Sequence, residues 1–399
     1  MGSPIIAEYE LFTILNSIFY GIKMIQKNRA LFIDLLKGLA LIVMIEVHVV
    51  NALLSPEFRD TWLYARLNFI NGLVAPAFSF ASGLVFVLSL QKGAEQLRTY
   101  GKDFRKKMSR IGLIFFIGYT LHLPYYSLTK LLNNQTQPVL ESLYTVDILQ
   151  LIASGLFVLL FAKIFIRSEK RFYNFSLAMT FIIIIVGPTM WSIDFSRYMP
   201  LFFSNFLNKM HGSLFPIFPW WAFVFSGAYA AKFYIEARQK NSEAEYARKL
   251  LITGFIFYTV SVALLYFILP ALGIGTRPNP IWFTERIGVI LMLLGVFWFY
   301  LNKKGDYKSL ILDVSRESLL IYWVHLQLIY REIFWGKSLV QISGQSYNFI
   351  ECFAVTFILI ALMLALAKFW GNAKMRYPVY SRRAAIFIIG AATLIFFIR

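Results

Sequence analysis

Between Arg29 and Asn51 the chain is apolar enough to cross a bilayer, yet this stretch carries Asp34, Lys37, Glu46 and His48. An ionisable group near the middle of a span costs at least roughly 2.5–3.5 kcal/mol, so such groups persist where pairing or function offsets that cost. Lys37 and His48 are eleven residues apart. At about 100° per residue this spacing closes three turns to within roughly 20°. The two therefore share a helix face, about 16 Å apart along the axis, and Asp34 falls within about 60° of both. An acid, an amine and an imidazole in one stripe mark a working helix rather than an anchor. The imidazole, which titrates near neutral pH, is the group of the three best suited to moving a proton.

The other three histidines fall at the same level. His122 lies near the outer end of the third predicted span, His211 lies in the loop before the sixth, and His325 sits about two-thirds of the way along the ninth. Four histidines on one side, with no soluble domain there, point to a site facing that side. Ser318, Tyr322 and His325 have the i, i+4, i+7 spacing of one helix face, and can line a channel or bond a neighbouring helix. Asp147 and Gln150 open the fourth span one turn apart; Asp147 can orient a histidine, bind a sugar hydroxyl or simply suit a helix start. Arg277, in the stiff loop Gly-Thr-Arg-Pro-Asn-Pro, is a candidate for holding an acceptor. No metal is expected, because the nearest histidines are 74 residues apart and none form an i, i+4 pair. The single cysteine, Cys352, excludes an intrachain disulfide. Phosphate-binding glycine loops, H-E-x-x-H and EF-hand loops do not occur in the sequence.

These groups need a scaffold, and the composition specifies one. With 58% hydrophobic and 15% charged residues over 399 positions, the chain reads as an all-α polytopic membrane protein. Eleven spans are predicted: 31–54, 66–90, 111–126, 146–166, 173–193, 214–234, 250–270, 283–301, 310–332, 348–370 and 385–398. Residues 1–30 form an interfacial segment without the features of a signal peptide, and residues 31–399 form one transmembrane domain. Alternate loops hold 27 lysines and arginines against ten on the opposite side, which places the amino terminus in the cytoplasm and the carboxyl terminus outside. The net charge of +18 is thereby explained by topology, not by nucleic acid. Anionic lipid suits the basic loops. Lys106, Lys107 and Arg110, with Lys102 and Arg105, would also attract a soluble anionic ligand. Two segments echo one another, Pro76-Ala-Phe-Ser-Phe-Ala-Ser-Gly83 and Pro219-Trp-Trp-Ala-Phe-Val-Phe-Ser-Gly227. Proline in a first turn and small residues at helix contacts account for both.

Six pieces in order carry a resemblance. Ile33-Asp34-Leu-Leu-Lys37-Gly38 with His48, Pro76 to Gly83, Gly118-Tyr-Thr-Leu-His122-Leu-Pro124, Val146-Asp147-Ile-Leu-Gln150, Phe215-Pro216-Ile-Phe-Pro219-Trp220 and Ser315 to His325 resemble spans of the transmembrane acyltransferases related to heparan-α-glucosaminide N-acetyltransferase. The first span is also similar to that of the acyltransferase-3 group, with Lys37 where that group has arginine; lysine keeps the charge and loses the bidentate fork. The resemblance implies an acyl-CoA donor, normally acetyl-CoA, used from the cytoplasm, and a sugar or glycan acceptor outside. His48 would act as general base or acyl relay, with Asp34 and Lys37 lining the donor channel. His122, Asp147, Gln150, Arg277, Ser318, Tyr322 and His325 would meet the acceptor, and Lys106, Lys107 and Arg110 the CoA phosphates. A bacterial inner membrane is the expected location, and a homodimer is left open. The competing class is a secondary transporter or flippase of a saccharide or lipid-linked solute, which would move its substrate without consuming acyl-CoA.

Overall fold

The computed structural model describes residues 30–91, 94–272, 279–304 and 309–398; the expected interfacial segment, but for Ala30, lies outside them. Among the described residues there is no strand, only the isolated bridges Leu54–Tyr347 and Phe334–Lys337. The principal helices are α1 (Leu31–Leu53), α2 (Val74–Leu90), α3 (Lys102–His122), α4 (Ile148–Phe165), α5 (Glu169–Trp191) and α6 (Ile217–Gln239). They continue with α7 (Glu243–Ala263), α8 (Pro280–Lys304), α9 (Leu310–Arg316), α10 (Ser318–Tyr330), α11 (Phe349–Arg376) and α12 (Pro378–Ile398).

Every predicted span falls on one helix or two consecutive ones, and the fold is an all-α polytopic membrane protein. Among the described residues, seven helices are long and apolar enough to cross a bilayer by length and composition: Trp62–Leu90, α4, α5, Glu243–Ala271, α8, α11 and α12. Three differences from the sequence reading have local causes. Helix α3 starts at Lys102, nine residues before the predicted span, because lysine and arginine are good helix formers that a hydropathy window passes over. The predicted span 310–332 is two helices interrupted at Glu317 (φ −101°, ψ 23°), whose carboxylate accepts from Lys374 at 2.6 Å. Helix α12 starts at Pro378 and takes in Arg382 and Arg383, making it longer than the apolar run alone.

Helix α1 is the axis of the bundle and packs against α2, α8, α9, α10 and α11. Burial differs among the helices: 67% of the most apolar window of α4 is enclosed by protein, but 22% in α11 and 6% in α12, which leaves most of the last two helices facing lipid. Small residues set the closest approaches. A Cβ on Gly38 would lie 2.3 Å from the Ile311 carbonyl oxygen, so α1 and α9 touch backbone to backbone. The two echoing segments meet each other. A Cβ on Gly83 would lie 1.9 Å from the Val224 oxygen, and one on Gly227 2.0 Å from the Phe80 oxygen. The echo is thus a reciprocal contact between α2 and α6.

Candidate active site

The site is built around the start of α4. Asp147 caps that helix and forms a capping box with Gln150. Its Oδ1 accepts from the Ile148 amide at 2.6 Å. Its Oδ2 is 2.9 Å from His122 Nε2 and accepts from the Tyr322 hydroxyl at 3.2 Å. A carboxylate only accepts, so His122 carries its proton on Nε2. Asp147 is 4% exposed, and three donors from α3, α4 and α10 satisfy it. Gln150 is fully buried; it accepts from the Asp147 amide at 3.2 Å and donates to the Thr145 oxygen at 3.3 Å. The absent side chain of Gly118 makes room for it: a Cβ there would lie 2.5 Å from Gln150 Oε1. Gln150 therefore holds Asp147 in place.

Helix α10 carries the next layer. The His325 ring lies 5.4 Å from the His48 ring on α1 and 5.6 Å from that of Tyr322. His325 is fully buried, its Nδ1 is 2.7 Å from the Ile321 oxygen, and its Nε2 has no hydrogen-bond partner in the protein. His48 is half-buried, with Tyr330 packed edge-on at 5.9 Å. The Tyr330 hydroxyl is 3.5 Å from His48 Nδ1 and 3.4 Å from its carbonyl oxygen. Four residues that are far apart in sequence, His48, His122, Asp147 and His325, thus form one chain of contacts through Tyr322.

A clasp keeps α3 and α10 in register. Arg331 follows α10 and donates to the Leu121 and Leu123 oxygens at 2.7 and 3.2 Å, capping the carbonyl end of α3. Its guanidinium stacks 4.1 Å over the Tyr126 ring, and the Trp323 indole donates to Thr120 Oγ1 at 3.1 Å. In the sequence Arg331 counts only as one of the ten basic residues on the side opposite the amino terminus, and Tyr330 is not singled out. Its one available cue was that Tyr330 shares a helix with Tyr322 and His325.

The remaining predicted residues lie elsewhere. Asp34, 6% exposed, and half-buried Lys37 are in the first two turns of α1, and the Lys37 amine sits 5.7 Å over the Phe78 ring. At 1.5 Å per residue, Lys37 is about 16 Å along α1 from His48. Ser318, half-buried, opens α10 roughly 10 Å along the axis from His325 and outside the imidazole cluster. Lys107 donates to the Ser89 oxygen and hydroxyl at 3.2 and 3.0 Å, tying α3 to the end of α2, whereas Lys106 and Arg110 are exposed. Arg277 lies outside the described residues. No group of three or more His, Cys, Asp or Glu among the described residues could hold a metal.

His211 belongs to a separate cluster in the loops. Its Nε2 is 2.9 Å from Asp194 Oδ1 and its Nδ1 is 3.4 Å from Glu141 Oε1. Bonding to Asp194 holds His211 above its ordinary pKa; bonding to His211 holds the Asp194 carboxyl below the usual range. The Gln137 amide, and then His211, hold Glu141 down as well. A few residues on, the Leu214 and Phe215 amides both donate to the Val146 oxygen at 3.0 Å, so this loop is seated beside Asp147.

A family model described as heparan-alpha-glucosaminide N-acetyltransferase, catalytic, matches residues 29–270 of the chain. Comparison with curated proteins gave no match.

Proposed function

The chain belongs to the heparan-alpha-glucosaminide N-acetyltransferase catalytic family, and from that premise we propose that it moves an acetyl group from cytoplasmic acetyl-CoA to the amine of a sugar or glycan across the membrane. The observation that carries this reading is the pair of imidazoles, His48 and His325, held 5.4 Å apart at one end of the bundle axis. An imidazole placed beside a reacting amine removes its proton as the amine attacks a thioester.

Helix α1 links the two substrates. Its first turns carry Asp34 and Lys37, which line the path of the donor; its far end carries His48, where acetyl and acceptor meet. Exposed Lys106 and Arg110 suit the CoA phosphates, while Lys107 serves the contact between α2 and α3. His122, Asp147 and Tyr322 form the wall against which the acceptor rests. The donor side is the cytoplasm, where the basic loops lie, and the membrane is a bacterial inner membrane.

The test uses purified full-length protein with acetyl-labelled acetyl-CoA and an oligosaccharide ending in glucosamine. The expected result is label on the amine and one free thiol per acetyl group transferred. Uptake of unmodified saccharide into vesicles without thiol release would replace this reading with a transporter. Cysteines introduced at Gln96 and Ser204 check the sidedness, since Cys352 is buried and gives little background. Ser204→Cys should react from outside intact cells and Gln96→Cys should not; the reverse pattern overturns the donor route.

A further inference from the structure

Resting on that acetyltransferase reading, we infer that His325 is the catalytic base, and that its Nε2 takes the proton of the acceptor amine. The fold settles the tautomer of this ring and leaves that of His48 open. A carbonyl oxygen only accepts, so His325 Nδ1, 2.7 Å from the Ile321 oxygen, must carry the hydrogen. In the neutral ring Nε2 then keeps its lone pair. That nitrogen is buried, with no hydrogen-bond partner in the protein.

An enclosed acceptor without a donor is costly to keep, because it has given up water and gained no bond in return. The neighbouring donors are committed elsewhere: the Tyr322 hydroxyl and the His122 N–H both go to Asp147 Oδ2. The lone pair is therefore reserved for a donor that arrives with substrate. His48 has no such constraint. The Tyr330 hydroxyl can turn toward His48 Nδ1 or toward the His48 carbonyl oxygen, 3.5 and 3.4 Å away, and either tautomer is accommodated.

The step balances without any further reagent. The amine nitrogen attacks the thioester carbonyl carbon, the C–N bond forms, and the amine proton passes to His325 Nε2. The C–S bond breaks, and the leaving thiolate takes that proton from the imidazolium. The products are the N-acetylated sugar and CoA thiol, and His325 returns to the tautomer that the Ile321 carbonyl selects.

His325→Asn tests this in the full-length protein, because the asparagine amide nitrogen stands where Nδ1 was and can still donate to Ile321, while nothing replaces Nε2. The expected result is retained acetyl-CoA binding and melting temperature, with single-turnover transfer to the glucosamine oligosaccharide down by about 10²–10⁴-fold. The acid limb of the pH–rate profile should vanish, and imidazole in solution should restore part of the rate. Transfer within a few fold of the parent, with the acid limb intact, overturns the assignment. A second measurement needs no variant: nitrogen-15 spectra of the parent should show His325 protonated at Nδ1 and bare at Nε2, and the opposite tautomer overturns the assignment. A parent protein that transfers no acetyl group sinks the acetyltransferase reading itself; an active parent with an equally active His325→Asn sinks only this inference.

Discussion

His325 and His211 show how one side chain is given two characters. His325 presents one nitrogen to a backbone carbonyl and the other to no partner in the protein, which suits a neutral ring able to accept a proton. His211 presents both nitrogens to carboxylates, Asp194 in a loop and Glu141 on the short helix Gln137–Leu143, and only a doubly protonated ring can donate to both. The first is a poised base; the second is a cationic rivet. What separates them is the partner on the second nitrogen, and the surrounding fold decides that partner.

The sharpest way to break the contrast is at Asp147. In Asp147→Asn an amide NH₂ can take the place of Oδ2, facing the His122 N–H and the Tyr322 O–H donor to donor. We predict roughly 10–100-fold slower transfer, the loss typical when a group that orients a functional histidine is altered. The His211 rivet should be unaffected. Normal turnover with an unchanged melting temperature would show that the Asp147 network is not part of the working site.

A smaller effect is expected at the axis. Gly38→Ala places a Cβ 2.3 Å from the Ile311 oxygen, so α1 must move away from α9, and His48 must shift against His325. The predicted loss is about 1–3 kcal/mol of stability, as for overpacked cores. Gly390→Ala on lipid-facing α12 meets nothing within 4 Å and should stay within about 0.5 kcal/mol. Equal melting temperatures for the two variants would deny that α1 and α9 are pinned.

The smallest effect belongs to His211, and it is read against pH. The folded pKa of His211 is raised, so its contribution is fully present below about 6.5, its ordinary value, and is lost as pH rises through the folded value. The folded pKa values of Asp194 and Glu141 are lowered, so their contributions are present above about 4.3 and are lost as pH falls through the folded values. Ser196 and Arg197 also bond Asp194, which keeps part of the loop in place without the histidine. Melting temperature should therefore form a plateau between roughly pH 4.5 and 6.5 and decline on the alkaline side, with that decline absent in His211→Ala. A parallel alkaline decline in the variant would assign it to other groups.

Much of this was legible in the sequence. Apolar length located the long helices but not the short ones of the connections, such as Gln137–Leu143, and the spacing of Lys37 and His48 placed them along one helix because helical geometry is local. Asp147 and Gln150 were visible as a helix start, and His122 and His325 as candidates. The meeting of His48 with His325 is a contact between helices, and helical periodicity carries no information on which faces meet. The Arg331 clasp was hidden for the same reason: its partners are backbone carbonyls, which no residue type announces. Buried Glu285 and Arg286, 3.5 Å apart within α8, fall inside the predicted span 283–301, but residue type alone does not show that the pair faces the protein interior. The choice between His48 and His325 as base turns on one backbone oxygen, which lies beyond reach of composition or spacing.

The reciprocal contact of Gly83 and Gly227 has a genetic consequence. At each position an added methyl group would strike a main-chain oxygen of the other helix, Val224 or Phe80, and main-chain atoms are common to every amino acid. A defect created at one glycine therefore has no local suppressor, because no exchange at Val224 or Phe80 removes the obstructing atom. A screen for second-site revertants of Gly83→Ala should return true reversions or changes scattered along α2 and α6 that let the helices separate. It should not return a compensating partner at the point of contact.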